Sequence, residues 1–212
     1  MDPTQARTIV ETGYDLVADR YADLEGDGRE WPRMRWLMEL LARVEEGGAV
    51  LDVGCGNGVP ATLAISERFD ATGIDVSAEQ IERAKRNVPA ARFLHGDLME
   101  LDLGQEFDAI TAFYVVEHVP REQHASVFER FHRWLRPTGW LLFTIEPKAE
   151  PGIVGDWLGA PMFFSQYDAA TTLELLDKAG FDIVRKAVEA QLEGDHDVPY
   201  LWVLARKRPR SP

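Results

Sequence analysis

The sequence predicts an α/β fold, a mostly parallel sheet with helices on both faces. Three observations predict it. Short apolar runs alternate with stretches of helical periodicity through the centre of the chain. A strand runs straight into three glycines and then a helix at Val50–Gly58. Trp140–Ile145 is almost wholly apolar, as a strand buried on both faces should be. With 212 residues, the chain suits one compact domain.

The elements follow in order. Residues 4–46 read as helical and precede the sheet, so 1–46 is expected to be a helical lid or flank and 47–212 the main domain. Ala49–Val53 is the first strand. Val59–Arg68 is a helix, with Pro60 tolerated in its first turn. Ala71–Ile74 is the second strand, and Ser77 caps a helix through Val88. Arg92–Leu94 and Phe107–Tyr114 are the third and fourth strands. Arg121–Leu135 is a helix with Val127, Phe131, Trp134 and Leu135 on one face. Arg136–Gly139 is a turn before the strand Trp140–Ile145. Asp168 caps a helix to Lys178, which Gly180 ends. Phe181–Val188 and Tyr200–Ala205 are the last strands.

Composition narrows the function class. Hydrophobic residues make up 45% of the chain, enough for a core without disulfides, and the one cysteine cannot form an internal bridge. A reducing cytoplasm is the expected location. The N-terminus has no basic start followed by an apolar run, and no stretch is long enough to span a bilayer. A net charge of −13 repels a phosphate backbone, so no nucleic-acid partner is expected. The basic run Arg206–Arg210 reads as a solvated tail. No metal-ligand spacing is present, so no metal is expected. Oligomeric state is not readable.

The glycine loop Val50-Leu51-Asp52-Val53-Gly54-Cys55-Gly56-Asn57-Gly58 carries the chemistry. Glycine permits positive φ and close approach of a ligand to backbone. A dinucleotide fingerprint needs a further glycine where Val59 stands, and no phosphate-cradling lysine follows. Asp52 would repel a pyrophosphate and suits a ligand with sulfonium and ammonium charges. Asp75 ends the second strand, where a carboxylate can accept both hydroxyls of a ribose. Asp97 follows the third strand and can accept the exocyclic amine of adenine. Each acid alone reads equally as a solvated loop residue or cap. Three at successive strand ends read as a site.

LDVGCGNG at 51–58, GIDVS at 73–77, HGDL at 95–98 and FDAITAFYVVEHV at 107–119 together resemble the class I S-adenosylmethionine-dependent methyltransferases. The resemblance is strong over roughly residues 45–145. It implies a Rossmann-like three-layer sandwich with a seven-stranded, mostly parallel sheet whose last strand is antiparallel. It implies S-adenosylmethionine as cofactor. Gly54, Gly56, Asn57 and Gly58 would wrap its methionine part together with Asp52, Asp75 and Val76 would hold the ribose, Asp97 and Leu98 the adenine, and Phe113 the pocket wall. The segment 14–21 resembles the family's helical lid, with Tyr21 over the methionine end. Alternatively, Tyr14 and Tyr21 simply face the core on one side of a helix.

Methyl transfer asks the protein to align acceptor, methyl and sulfur and to exclude water. A hydroxyl or amine acceptor also calls for a base. His118, after the fourth strand, is the candidate, and by resemblance it sits near the methyl or methionine end; a histidine there reads equally as a structural hydrogen-bonder. Glu146 reads as a loop carboxylate, and His196 lies on a loop that could reach the acceptor. Trp157, Met162, Phe163 and Phe164 belong to a stretch too apolar for an ordinary loop, which is either a core plug or an acceptor pocket. Trp31 and Trp36 could add a second aromatic wall. The expected activity is methylation of an O or N atom of a small, largely apolar, aromatic or polyketide-like metabolite. The alternatives are a cyclase-type enzyme that binds the same cofactor without methylating, a nicotinamide-dependent oxidoreductase and a binding module without chemistry.

Overall fold

The computed structural model describes residues 1–25, 32–193 and 196–209. In chain order the elements are α1 (Pro3–Glu25), α2 (Pro32–Leu41), β1 (Ala49–Val53), α3 (Ala61–Ser66), β2 (Asp70–Asp75), α4 (Ala78–Asn87), β3 (Arg92–His95) and β4 (Phe107–Ala112). Then come α5 (His124–Trp134), β5 (Leu135–Ile145), β6 (Glu150–Trp157), β7 (Ala160–Gln166), α6 (Ala169–Lys178), β8 (Phe181–Glu193) and β9 (His196–Lys207).

Seven strands form one sheet in the order β3-β2-β1-β4-β5-β9-β8. The pairs β1–β2, β1–β4, β2–β3 and β4–β5 are parallel, while β9 runs antiparallel to both β5 and β8. The order reverses between β1 and β4, which opens a crevice at their carboxyl ends.

Side chains alternate between two cores, as strand geometry requires. Leu51, Val53, Leu141 and Phe143 face a cluster with Phe128 and Phe131 of α5 and Leu176 of α6. Val50, Leu142, Trp202 and Leu204 face the opposite cluster with Trp36 and Leu40 of α2 and Ile65 of α3.

Several boundaries differ from the sequence expectation, each for a local reason. The helix expected from Val59 begins at Ala61 and is only 6 residues long. The stretch expected to be helical from Arg121 starts as a 3₁₀ turn, Arg121–Gln123, and becomes α-helical at His124. The expected turn at 136–139 is absorbed into β5, whose pairing with β4 slips between Phe107 and Ala109, with Thr138 at φ +64°. Both terminal strands run longer than predicted because they pair with each other from Phe181↔Lys207 to Glu193↔His196. His196 therefore opens β9 instead of lying on a loop.

The sequence reading assigned no strands between Ile145 and Asp168, but an antiparallel hairpin, β6–β7, forms a second sheet there. The 23-residue helix α1 lies against β7. Gly13 permits this approach, since a Cβ there would meet the Pro161 carbonyl oxygen at 2.7 Å and Met162 Cε at 2.8 Å. Ala6, Val10, Met162 and Phe163 close a third small core between the two.

Polar contacts hold α1 over the sheet. Asp15 accepts from Ser77 Oγ at 2.5 Å, and Asp19 pairs with Arg83 of α4 at 2.7 Å. Ser77 also caps α4, accepting from the Gln80 N–H at 3.1 Å. Ser77→Ala should cost about 1–2 kcal/mol, the value of an N-cap plus one further hydrogen bond. A lowered urea midpoint at constant m-value is the expected readout, and an unchanged midpoint would mean that water replaces both bonds.

Candidate functional site

A cavity of about 350 Å³ opens at the carboxyl ends of β1, β2 and β4, under α1. Its size is that of a small-molecule site. The loop after β1 forms the floor through Gly54 at φ +65° and Gly56 at φ +53°. A Cβ on Gly54 would come within 2.1 Å of Val115 Cγ2, so only glycine lets the loop pass there.

Asp75 closes one side of the floor. Its carboxylate accepts from the Gly56 N–H at 2.9 Å and the Ser77 N–H at 2.8 Å, which holds both oxygens in place. Burial raises its pKa from 3.8 to about 6, although these two backbone bonds pull the other way. Asp97 lies further along the same wall. It accepts from the Met99 N–H at 2.8 Å and faces Arg7 of α1 at 3.7 Å, while Arg7 binds Glu100 at 2.7 Å. Val76, Leu98 and Phe113 complete the wall between these acids and the end of β4.

The opposite end is aromatic. Tyr14 and Tyr21 meet edge to face at 5.8 Å, and Trp157 packs 5.5 Å from each. His118 ends a 3₁₀ turn, Val116–His118, and lies 5.4 Å from the Tyr14 ring and 5.1 Å from Phe164. Its two ring nitrogens are both engaged. Nδ1 is 2.8 Å from the Phe163 carbonyl oxygen, and Nε2 is 2.9 Å from the Tyr14 hydroxyl. Burial lowers its pKa to about 4, so the ring is neutral at pH 7. A carbonyl can only accept, so Nδ1 carries the proton and Nε2 accepts from Tyr14.

The structure thus gathers Tyr21, Gly54, Gly56, Asp75, Val76, Asp97, Leu98, Phe113 and His118 around one cavity. It does not bring the remaining candidates there. Asp52 points to the opposite face of β1, where Thr62 and Thr111 donate to it at 2.5 and 2.7 Å. Asn57 and Gly58 shape the loop from behind: Asn57 Oδ1 accepts from the Val59 N–H, and Gly58 packs on Val88. Met162 and Phe163 are buried between α1 and β7, and Trp157 and Phe164 back the lining aromatics without themselves lining the cavity. Trp36 is fully buried, stacked on Trp202 at 5.9 Å. Glu146 is off the wall. Trp31 lies outside the described residues.

Arg7 and Tyr114 are among the lining residues missed in the sequence. Arg7 carries no motif. Tyr114 sits at φ +58° directly after β4, with its N–H donating to Thr144 Oγ1 at 2.7 Å and its hydroxyl to Gln191 at 2.5 Å. Such a conformation in a bulky residue is uncommon and clusters at functional sites. Among the described residues no group of three or more His, Cys, Asp or Glu could hold a metal, and no helix is long and apolar enough to cross a membrane.

Comparison with known proteins adds the family. Residues 50–139 match the model of a methyltransferase domain. An uncharacterized methyltransferase of Synechocystis sp. is 31% identical over 187 residues, covering 84% of this chain and 85% of its own length. A ubiquinone biosynthesis O-methyltransferase of Klebsiella pneumoniae is 30% identical over 141 residues, covering 62% of this chain, which in turn spans only 57% of that enzyme. In structure, the 1,6-didemethyltoxoflavin-N1-methyltransferase of Burkholderia thailandensis superposes with a TM-score of 0.77 at 22% identity, covering 98% of this chain and 91% of that one. A [4+2]-cyclase superposes at 0.73 with 23% identity, covering 94% and 95%. At those identities the two structures speak for the fold. Sequence likeness to the Synechocystis relative over most of both chains decides the rest: the chain belongs to the class I S-adenosylmethionine-dependent methyltransferases, and S-adenosylmethionine is its cofactor.

Proposed function

We propose that this enzyme methylates an oxygen or nitrogen atom of a small, largely apolar metabolite in the cytoplasm. The observation that carries the reading is the polarity of the cavity. Carboxylates stand at one end, and an aromatic cluster with one neutral histidine stands at the other.

The residues fit the cofactor. Gly54 and Gly56, both at positive φ, put bare backbone on the cavity floor where the cofactor would lie. Asp75, with both oxygens oriented by backbone N–H groups, presents remaining lone pairs to the ribose hydroxyls. Asp97 presents an acceptor to the adenine amine, and Arg7 lies over that end. Tyr21 and Phe113 flank the methionine end. The bound cofactor supplies an electrophilic methyl group on a sulfonium. The chain orients the acceptor, keeps water out with α1, and holds a proton acceptor near the transfer point.

The acceptor reading shifts with the structure. Trp157, Met162, Phe163 and Phe164 support the site from behind, so acceptor contacts fall to Tyr14, Tyr21, Tyr114 and His118. A relative named as a ubiquinone biosynthesis O-methyltransferase supports a small-molecule acceptor.

Calorimetry with S-adenosylmethionine, S-adenosylhomocysteine and NAD, followed by mass analysis of a panel of catechol, 4-nitrocatechol and 2-aminophenol, tests the reading. Binding of the first two ligands and a mass gain of one methyl on a panel member are expected. Cofactor binding with no methylated product from any panel member would overturn the reading and favour a cyclase-type role.

A further inference from the structure

Both nitrogens of His118 are occupied, and this limits what the ring can do. Nδ1–H donates to the Phe163 carbonyl, and Nε2 accepts from the Tyr14 hydroxyl. An acceptor proton therefore has no direct path to the imidazole. It can reach Nε2 only through the Tyr14 oxygen. Tyr14 lines the cavity, and its ring is held from three sides by Tyr21, Trp157 and His118 at 5.4–5.8 Å. Two of these contacts, with Tyr21 and Trp157, hold the ring independently of the hydrogen bond itself.

The Phe163 carbonyl belongs to β7, part of the hairpin that lies outside the seven-stranded sheet. A backbone carbonyl offers no proton, so it forces the Nδ1–H tautomer and leaves Nε2 as the basic atom. The same carbonyl would stabilise an imidazolium, whose Nδ1–H is the stronger donor. This gives the extra hairpin a chemical role beyond packing.

We propose that Tyr14 and His118 form a proton relay at the acceptor end of the cavity, with Tyr14 as the group that touches the acceptor and the Phe163 carbonyl setting the histidine tautomer. The proposal rests on the small-molecule methylation reading above. In the step, the acceptor X–H bond breaks and its proton goes to the Tyr14 oxygen. The former Tyr14 proton passes to His118 Nε2. The X lone pair forms the new bond to the methyl carbon, and the C–S pair stays on sulfur. One positive charge leaves the sulfonium and one appears on the imidazolium, so charge balances. The imidazolium then loses its proton to water as the products leave, since its buried ring does not retain charge.

Two measurements test it. In the full ¹⁵N-labelled chain without ligand, long-range ¹H–¹⁵N spectra are expected to show His118 protonated at Nδ1 and bare at Nε2, with Tyr14→Phe shifting the Nε2 signal and leaving Nδ1 in place. A proton on Nε2 would overturn the relay. In turnover, Tyr14→Phe keeps the ring and removes one oxygen. It should lower kcat on catechol by about a hundredfold, in the range of general-base effects, with affinity for S-adenosylhomocysteine within about twofold of the parent. On 4-nitrocatechol, whose hydroxyl is already ionised near neutral pH, the loss should shrink to a few-fold. His118→Gln should lose a similar factor on catechol, and the double variant no more than either alone, because the two act as a unit. Equal losses on both catechols, or additive losses in the double variant, would show a merely structural pair. Wild-type turnover with an unimpaired Tyr14→Phe would overturn the relay alone. No wild-type turnover on any acceptor would overturn the methylation reading and the relay with it.

Discussion

Asp75→Ala is expected to weaken cofactor binding by about 1–3 kcal/mol, roughly 5- to 150-fold, the cost of leaving paired hydroxyls without their acceptor. The effect reaches the upper end because the same carboxylate holds the Gly56 and Ser77 amides that shape the floor. Calorimetry with S-adenosylhomocysteine measures it, with melting temperature as the folding control. Unchanged affinity in a folded variant would remove Asp75 from the ribose site.

The wild type should show a matching pH dependence. Burial raises the Asp75 pKa from 3.8 to about 6 in the free protein. Below 3.8 the group is protonated in both folded and unfolded states. Between the two values the folded state binds more protons, so this group makes the unliganded fold less stable as pH rises. Ligand hydroxyls reverse the preference, since they donate to the ionised form. Affinity should therefore strengthen as pH rises through about 6 and fall by up to tenfold per unit below it. A flat affinity profile between about pH 5 and pH 7.5 would contradict the assignment.

Trp202→Ala is the second large expectation. Trp202 is fully buried on β9, stacked on Trp36 at 5.9 Å and an interplanar angle of 16°, with Phe113 at 5.9 Å and Tyr114 at 6.1 Å. Its removal should cost about 3–5 kcal/mol as a large core cavity. At about 2–4 °C per kcal/mol for a chain of this length, the melting temperature should fall by roughly 10 °C. Because Phe113 and Tyr114 line the cofactor cavity, affinity should fall as well. A denaturant midpoint within experimental error of the parent would refute this account of the α2-side core.

These expectations divide by how far each was readable in the chain. The parallel sheet was legible because buried central strands are mostly apolar, and β1 is buried at all five positions with Asp52 its one polar residue. Ser77 and Asp168 were legible as caps because a cap is a local bond, here to the Gln80 and Thr171 N–H groups. Asp75 and Asp97 were legible as strand-end acids, and both reach the cavity wall. Asp52 misled. It precedes the first glycine, yet the period-two alternation of β1 sends it to the face away from Leu51 and Val53, into the reach of Thr62 and Thr111.

The aromatic stretch 157–164 shows a different limit. An apolar run has the same composition whether it plugs a core or walls a pocket, and pairing decides between them. Here Val154↔Phe163 and Gly155↔Met162 set the register of a hairpin that turns Met162 and Phe163 toward α1. Tyr14 was readable only as a residue on the same side of a helix as Tyr21. Its bond to His118 joins positions 104 residues apart.

By itself, then, the sequence determined the sheet, its crossover chemistry, the glycine loop and the cofactor class, all of which depend on neighbours within one strand–loop–helix unit. The tertiary structure alone decided which acids line the cavity, that β6 and β7 form a hairpin, and that Tyr14, His118 and Phe163 meet in one hydrogen-bonded chain. These are contacts between α1, the end of β4 and β7, and no local periodicity encodes the distance at which three separate elements close on one another.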